Sequence, residues 1–374
     1  LQVRPHHLRS VQIERDFADP RATLHYVVTP FLRATFERLT DGFQAQSTRR
    51  AWRLTGDYGS GKSGFALALA RLGQRDEGLL PTELKDFSSP VRLEPVLVVG
   101  EREPVGTSVM RALRTTAERC FSRIPKSLAA ALAASAEPRN VMAALEALKA
   151  TLIADQRAGG MLLILDELGK NLEFAAAGTE ADDIYFLQHL AETAARSASE
   201  PVMVVAIVHQ AIAGYASGLT SAQRREWEKV AGRYEEVVFS PPLEQAAILI
   251  AAALDVDTDG CPPQLLRAAE QTMGQALELN WYGAGAARAS LLELAPALLP
   301  LDPTVLPAIG RAMRRFGQNE RSLFSFLSST EPLGMMAHAQ QPLAHFAPYR
   351  LHNFFDYLQA NFAGLLSAGA HATR

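Results

Sequence analysis

A glycine-rich segment of the sequence carries residue types that bind phosphate. Residues 56–63 read Gly-Asp-Tyr-Gly-Ser-Gly-Lys-Ser and fit the pattern G-x-x-x-x-G-K-[ST] at every fixed position. Glycines let a backbone fold around an anion with its N–H groups pointing inward, and a following helix directs its positive dipole end at the same anion. We therefore expect a triphosphate site, with Lys62 at the β- and γ-phosphates and the Ser63 hydroxyl on Mg²⁺. The expected phosphate-binding residues are Gly56, Asp57, Tyr58, Gly59, Ser60, Gly61, Lys62, Ser63 and Gly64.

Two adjacent acidic residues follow an apolar run further along the chain. Leu162–Leu165 is apolar and precedes Asp166 and Glu167. A carboxylate at the tip of a buried strand can bind Mg²⁺ directly or through water, and we assign this role to Asp166. A second carboxylate can orient or deprotonate an attacking water, which a hydrolase needs and a nucleotide kinase does not. We therefore expect Glu167 to serve hydrolysis.

Two further groups of polar residues are candidates for the same site. His209 and Gln210 end a third apolar run, where either side chain could hydrogen-bond the γ-phosphate or the attacking water. The basic segment before the last strand contains Arg224, Arg225 and Arg233. An arginine there could neutralise charge that develops in the transition state, often from a neighbouring subunit. Among the three arginines we favour Arg233.

Alternating apolar runs and helical patterns must position these residues. Five short apolar segments are bounded by Gly, Pro or polar residues, which is typical of buried strands. Strands of this kind that alternate with helices predict a parallel sheet covered on both faces. After about residue 241 the β-branched runs stop, so we expect a helical region there. The predicted strands are Ala51–Thr55, Pro95–Gly100, Met161–Leu165, Pro201–Val208 and Glu235–Phe239.

Composition excludes several classes of protein. The chain has 374 residues, a net charge of −3 and 48% hydrophobic residues, which excludes intrinsic disorder and indicates at least two domains. Near-neutral charge argues against a wholly basic nucleic-acid binder, although a local basic patch stays open. The longest apolar run, Ala246–Leu254, is too short to span a bilayer.

The termini and the cysteines suggest where the protein resides. No basic region followed by an apolar one opens the chain, so we expect no secretion signal. The two cysteines, Cys120 and Cys261, are too few for a disulfide framework, and we expect a cytoplasmic protein. The chain begins with Leu rather than Met, which is consistent with a processed or trimmed piece of a longer protein. Whether the natural chain extends beyond residue 374 stays open.

The phosphate loop, the acidic pair, the polar strand tip and the arginines before the last strand together resemble the AAA+ branch of P-loop ATPases. In that family the Walker A and Walker B motifs lie on a parallel sheet of order 5-1-4-3-2 between helices, and a helical lid follows. The resemblance implies bound ATP and Mg²⁺, with Glu167, Lys62, Arg233 and Gln210 (or His209) as catalytic residues. A lid arginine that touches the nucleotide would be Arg288 or Arg321.

The resemblance also implies a domain organisation. An N-terminal helical segment spans residues 1–48, and the ATPase core spans 49–240 with a helical insertion at about 107–157. A helical lid follows at 241–340, and residues 341–374 begin a C-terminal helical module. The adenine pocket has no motif of its own, and Phe17 and Tyr26 are candidate walls.

Shorter phrases of the sequence resemble a narrower group. Leu165–Glu173, Glu14–Phe17 and Gln318–Leu327 are similar to segments of the large ATP-binding proteins of bacterial anti-phage defence clusters, such as bacteriophage-exclusion systems. This resemblance implies a homo-oligomer that works with other defence or DNA-processing proteins. DNA is a possible partner, and no membrane is involved.

Three functions fit these observations. The first is Mg²⁺-dependent ATP hydrolysis that drives or gates a conformational or assembly change. The alternative is a nucleotide-gated oligomeric switch or scaffold with negligible turnover, because hydrolysis could need an arginine from another chain. A small-molecule kinase is a third and more distant hypothesis, since it does not require Glu167.

Overall fold

The computed structural model describes residues 1–4, 11–57, 60–178, 182–216, 219–240, 242–283, 285–316, 323–329, 331–342 and 346–371. The described residues between Val11 and Ser240 form one compact unit. Residues 1–4 and the described residues after Ser240 form the other. The N-terminal helical residues from Val11 onward thus pack in the same unit as the predicted ATPase core.

The described residues contain seven strands. They are β1 Gln2–Val3, β2 Ala51–Thr55, β3 Leu93–Val99, β4 Gly160–Asp166, β5 Val202–Val208, β6 Glu235–Val238 and β7 Leu254–Asp255.

Five of these strands form one parallel sheet in the order β3-β4-β5-β2-β6. Counting only the strands of this sheet along the chain, and starting from the β6 edge, the order is 5-1-4-3-2. The structure therefore confirms the predicted fold class and strand order. The strand that precedes the phosphate loop, β2, lies between β5 and β6, and the strand that ends at Asp166, β4, lies between β3 and β5.

The helices of the described residues range from one to about six turns. In the sheet-containing unit they are α1 Ile13–Ala18, α2 Pro30–Thr40, α3 Lys62–Gly73, α4 Val105–Cys120, α5 Lys126–Leu132, α6 Pro138–Ala154, α7 Leu168–Ala177, α8 Asp182–Arg196, α9 Ile212–Tyr215 and α10 Ser221–Ala231. In the second unit they are α11 Leu243–Ala253, α12 Pro263–Glu278, α13 Arg288–Leu294, α14 Leu306–Phe316, α15 Leu323–Ser328, α16 Met335–Ala339 and α17 Leu351–His371. Short 3₁₀ helices are Asp41–Phe43, Glu77–Leu79, Thr82–Leu84 and Ala295–Leu298.

Helices cover the sheet on both faces, which explains why its central strands are apolar throughout. Alternate residues of each strand face opposite sides, and every residue of β4 and β5 is buried. On one face the strands pack against α4 to α8 and α10, and on the other they pack against α1, α2 and α3. The segment between β3 and β4, where an insertion is predicted, comprises α4, α5 and α6, and its apolar residues contribute directly to the first of these cores.

The start of β2 is fixed by a buried arginine. Arg50 is fully buried, and its guanidinium donates to the carbonyls of Gly42, Gln44 and Ala198 and to the Ser197 hydroxyl. Because each of these donors has a partner, the buried charge is compensated by hydrogen bonds. The strand that leads into the phosphate loop is thereby anchored at the residue that precedes it.

The second unit is mostly helical but not entirely so. Its core includes Ile250, Met273, Leu291, Leu306 and Phe326. The short antiparallel pair of β1 and β7 adds a ribbon that the helical prediction lacked. No helix of the described residues is both long and apolar enough to cross a membrane.

Candidate functional site

The phosphate loop lies between β2 and the N-terminus of α3. Gly61 has φ of +89°, a conformation that favours glycine, and it lets the chain turn directly into the helix at Lys62. The Lys62 side chain is buried and donates to the carbonyls of Gly56 and Asp57 and to the Ser60 hydroxyl, the last at 3.1 Å. The lysine is therefore held inside the loop to which it belongs. Two expected phosphate ligands, Tyr58 and Gly59, lie outside the described residues.

The structure brings the two predicted metal ligands together. The Ser63 hydroxyl donates to the Asp166 carboxylate at 3.2 Å, although the two residues are 103 positions apart in the chain. Asp166 is only 6% exposed, and it also accepts a hydrogen bond from the backbone N–H of Glu167 at 2.9 Å. A hydroxyl and a carboxylate oxygen are the hard ligands that Mg²⁺ prefers, so this donor set fits the ion.

Burial adjusts the charges of this cluster. It raises the pKa of Asp166 to about 6, while the hydrogen bonds from Ser63 and from the Glu167 backbone oppose the rise. It also lowers the pKa of Lys62 to about 8, while the negative charges of Asp166 and Asp57 oppose that fall. A divalent cation beside Asp166, together with phosphate beside Lys62, would compensate both charges.

Glu167 lies at the junction between β4 and α7. Its backbone φ is +54°, an uncommon conformation for a residue with a side chain. The side chain is 36% exposed, and its carboxylate accepts a hydrogen bond from the Lys170 ammonium one turn along α7. The predicted base thus lies beside the metal ligands with one exposed carboxylate, and it forms an ion pair within its own helix.

The end of β5 lies beside the phosphate loop. The Gly56 N–H donates to the Val208 carbonyl at 3.3 Å, which places the next residue, His209, close to the loop. Burial, together with the positive charges of Lys62 and Lys170, lowers the pKa of His209 to about 4, so the imidazole is neutral near pH 7. Gln210 is exposed and lies over Gly214. Of the two sensor candidates, His209 is the one whose electrostatic neighbours include the phosphate-loop lysine.

Lys170 is a residue that the sequence analysis missed. It lies near His209 as well as beside Glu167, so it belongs to the same cluster. Its spacing of three positions after Glu167, at the start of a helix that follows a strand, was the signal available in the sequence.

The candidate arginines of the sheet-containing unit are not part of this cluster. Arg233 follows α10, is 45% exposed at its side chain, and pairs with Glu192 at 3.1 Å. Arg224 and Arg225 are exposed on α10. Arg288 lies at the start of α13 in the second unit, where it pairs with Glu278 at 3.3 Å. The other lid candidate, Arg321, lies outside the described residues.

Of the two candidate adenine walls, only Tyr26 lies at the phosphate loop. A Cβ added to Gly64 would lie 3.2 Å from a ring carbon of Tyr26, so the tyrosine covers the first turn of α3. Phe17 instead contacts the guanidinium of Arg71, with 4.4 Å between Cζ and the ring centre. Arg71 lies nine residues after Lys62, or about 13 Å along the helix axis, so Phe17 is too far away to form that wall.

No protein-family model matches the sequence, and no curated protein matches it. Solved structures that resemble the chain include those of the Aeropyrum pernix ORC2 protein. Its ADPNP–ADP complexes align with a TM-score of 0.41 and 13% identity over 83% of this chain and 69% of that chain. Its ADP form aligns with a TM-score of 0.38 and 14% identity, over 93% of this chain and 90% of that chain. The structure of Drosophila ORC bound to GC-rich DNA and Cdc6 aligns with a TM-score of 0.31 and 14% identity, over 95% of this chain and 51% of that chain.

These similarities are low in both identity and TM-score. The fold is therefore assigned from the strand order of the chain itself and from the phosphate loop at the end of β2.

Proposed function

We propose that the protein is an AAA+-type ATPase that binds and hydrolyses ATP in the presence of Mg²⁺. The hydrogen bond between Ser63 and Asp166 is the observation that carries this proposal, because it joins the phosphate-loop helix to the acidic strand tip. Glu167 lies next to this pair with an exposed carboxylate, as a base for water requires. A phosphate loop without such a carboxylate would fit phosphate transfer to another acceptor equally well.

The residues would divide the reaction among them as follows. Lys62 and the N–H groups of the loop hold the β- and γ-phosphates, and Ser63 and Asp166 hold the metal. Bound Mg²⁺ would neutralise charge that develops on the phosphate oxygens. Glu167 orients the attacking water and accepts its proton, and the neutral His209 hydrogen-bonds the γ-phosphate or that water.

Tyr26 would form one wall of the base pocket. Its ring lies against Gly64, next to the residue that binds Mg²⁺ in this proposal. An aromatic ring at this place can stack on a purine. The helical unit after Ser240 would act as the lid, with Arg288 or Arg321 reaching the nucleotide.

Turnover would require a second copy of the chain. Arg233 is exposed and pairs with a carboxylate of the same chain, so a neighbouring subunit could use it as an arginine finger. We further propose that the cycle serves an anti-phage defence or DNA-processing complex in the bacterial cytoplasm. This context is supported only by the short phrases around Asp166, Glu14 and Gln318.

The Glu167→Gln variant tests the hydrolase assignment. It keeps the size of the side chain and removes the base, so turnover should fall by about 100-fold or more while ATP binding persists. Glu173→Gln is the matched control, because Glu173 lies on the same helix in an exposed pair with Arg102. ATP turnover and the Kd for ATP should be measured for both variants. Turnover of Glu167→Gln at the wild-type rate would show that Glu167 is not the base.

The same turnover assay tests the biological context. Adding double-stranded DNA across a range of protein concentrations should raise the rate if the ATPase acts on DNA in an oligomer. A rate that depends on neither DNA nor protein concentration would contradict both parts of that proposal.

A nucleotide-gated switch is the second candidate. The ion pair of Glu167 with Lys170 favours it, because a base held in this way does not activate water until it is released. Light scattering with and without ATP distinguishes the two functions. A switch assembles on ATP with negligible turnover, whereas a hydrolase assembles and then turns over.

A further inference from the structure

We propose that Lys170 is the residue through which a bound γ-phosphate releases Glu167. In this inference, which rests on the proposed function, Lys170 exchanges the Glu167 carboxylate for the γ-phosphate when ATP binds. Glu167 is then free to act on water. Lys170 would therefore distinguish triphosphate from diphosphate and would couple that distinction to hydrolysis.

The position of Lys170 in its helix is the first argument. It is the third residue of α7, in the first turn. The positive end of the helix dipole lies there, so a cation is unfavourable unless an anion lies close by. Glu167 is such an anion, and its carboxylate accepts a hydrogen bond from the Lys170 ammonium. A γ-phosphate is a stronger acceptor of the same kind.

The surroundings of Lys170 place it on the side of the site where the γ-phosphate would lie. The Tyr215 hydroxyl links the start of α7 to the His209 backbone, and the charges of the Lys170 and Lys62 ammonium groups both act on the His209 imidazole. Lys62 belongs to the phosphate loop, and the Gly56 N–H ties that loop to the end of β5. The two lysines therefore approach one site from two different elements, α3 and α7.

A close backbone contact fixes the start of α7 in this position. A Cβ added to Gly169 would lie 2.5 Å from the Tyr215 hydroxyl oxygen, so only glycine permits the observed approach. The same hydroxyl accepts a hydrogen bond from the His209 N–H at 3.2 Å. Tyr215 thus lies between Gly169 and the His209 backbone, and it holds the start of α7, just before Lys170, against the end of β5.

The pair itself can be exchanged readily. The side chains of Lys170 and Glu167 are 48% and 36% exposed, and ion pairs with this exposure stabilise proteins only weakly. A triphosphate carries several negative charges, so it can compete with a single carboxylate for the ammonium group.

The affinity ratio of a triphosphate to a diphosphate tests the proposal. In Lys170→Met the side chain keeps its length and loses its charge. With Mg²⁺ present, the Kd of a non-hydrolysable ATP analogue should rise about tenfold, whereas the Kd of ADP should change by less than about twofold. Lys170→Arg should restore the ratio. Lys149→Met is the matched control, because Lys149 forms a pair of the same spacing with Glu146 at 2.8 Å on α6.

A second variant tests the competition between Glu167 and the γ-phosphate. Glu167→Gln removes the carboxylate that competes for Lys170, so the analogue should bind a few-fold more tightly to it than to the wild type. In the Lys170→Met background the same substitution should have no effect on the analogue.

Different results overturn different claims. The proposal is wrong if Lys170→Met leaves the ratio of the analogue Kd to the ADP Kd unchanged. It is also wrong if Glu167→Gln changes the analogue Kd equally in the wild type and in Lys170→Met. Lys170 would then be only one member of an ordinary surface ion pair. If the wild-type protein binds neither nucleotide, the proposed function fails and this inference fails with it.

Discussion

Two sets of candidate catalytic residues in the sheet-containing unit differ in how the fold holds them. The phosphate cluster consists of Lys62, Ser63 and Asp166. Lys62 and Asp166 are buried and Ser63 is partly buried, and the three contact one another or the loop backbone. The arginine segment, residues 221–233, is largely exposed, and Arg233 pairs with Glu192 of α8. The first set is complete within one chain, whereas the second set faces outward. The fold thus completes the candidate phosphate and metal ligands within one chain and leaves the candidate arginines at its surface.

The difference follows from the sheet. The carboxyl ends of all strands in a parallel sheet lie at the same edge. The tips of β2 and β4, which are separated only by β5, therefore lie at one edge together with the start of α3. Arg233 instead precedes β6, at the opposite end of the strands from the phosphate loop. An arginine at that end cannot serve the phosphate cluster of its own chain, but it can serve that of a neighbouring one.

Replacing Arg233 tests this division most strongly. If a neighbour supplies Arg233, Arg233→Ala should reduce turnover by about 10³-fold without changing ATP affinity, because a finger stabilises the transition state. Lys62→Met should abolish nucleotide binding in its own chain. Turnover should therefore reappear when the two inactive variants are mixed, since one chain supplies an intact phosphate cluster and the other supplies Arg233.

Arg139→Ala is the control for Arg233, because Arg139 is also exposed and forms an ion pair, with Glu137 at 3.3 Å. It should turn over at the wild-type rate. Full activity of Arg233→Ala alone would show that this arginine has no part in hydrolysis, and an inactive Arg233→Ala that is not rescued by mixing would show that it does not act across subunits. Arg224 and Arg225 would then be the next candidates.

Asp166→Asn tests the phosphate cluster directly. The amide keeps the size of the side chain but loses the charge that would hold the metal, so turnover at saturating ATP should fall by about 100-fold and need more Mg²⁺. The same change should raise Tm at pH 7 without Mg²⁺, because burial disfavours the ionised carboxylate and raises its pKa to about 6. Turnover over a Mg²⁺ titration and a thermal melt provide the two readouts.

The two readouts should move in opposite directions, which separates loss of function from loss of folding. Asp155→Asn is the control, because Asp155 caps the C-terminus of α6 and is exposed. A lower Tm for Asp166→Asn would mean that the carboxylate stabilises the fold, and Asp166 would then be a structural residue.

Gly169→Ala tests how firmly α7 is attached to the end of β5. The added Cβ would lie 2.5 Å from the Tyr215 hydroxyl oxygen, and we expect a loss of about 1–3 kcal/mol in the free energy of unfolding by urea. Tyr215→Phe removes that oxygen but keeps the ring carbons at 2.9 and 3.0 Å, so the double variant should recover only part of the loss. Gly232→Ala is the control, because its added Cβ would meet only two carbonyl oxygens at 3.5 Å.

A neutral or stabilising Gly169→Ala would show that the start of α7 can move away from Tyr215. The Lys170 side chain would then no longer be fixed beside His209. Alanine is a better helix former than glycine by up to about 1 kcal/mol, so this gain is already included in the expected net loss.

Some parts of this site could be predicted from the sequence, and others could not. The phosphate loop and Asp166 were predictable because glycine spacing and the end of an apolar run are local signals. The meeting of Ser63 with Asp166 also followed, since all strands of a parallel sheet end at the same edge. The strand order matched because the motifs resemble one family, whereas the β1–β7 ribbon has only two residues in each strand and no pattern to reveal it.

Other contacts depend on tertiary packing that no local pattern encodes. Lys170 was missed because a lysine after an acidic pair reads as a solvated helix residue until His209 is seen beside it. Phe17 and Tyr26 were equivalent candidates in the sequence. Only the fold shows that one contacts Arg71 near the far end of α3 and the other contacts Gly64 at its start.

Tyr26→Ala gives the smallest expected effect, and it tests whether the nucleotide base binds beside the phosphate cluster. Removing the ring should raise the Kd of both ATP and ADP by about tenfold, because stacking on the base does not depend on the γ-phosphate. Tyr26→Phe is the control. It keeps the ring and removes a buried hydroxyl that has no hydrogen-bond partner among the described residues, so affinity should not change and Tm should stay equal or rise.

An equal loss of affinity for ATP and for ADP distinguishes Tyr26 from Lys170, whose replacement should weaken the binding of the triphosphate alone. Thermal melts of both Tyr26 variants show whether a weaker affinity reflects the lost ring or a lost fold. If Tyr26→Ala is folded and binds both nucleotides as the wild type does, the base lies elsewhere. The contact of Tyr26 with Gly64 then serves only to pack the N-terminal residues onto α3.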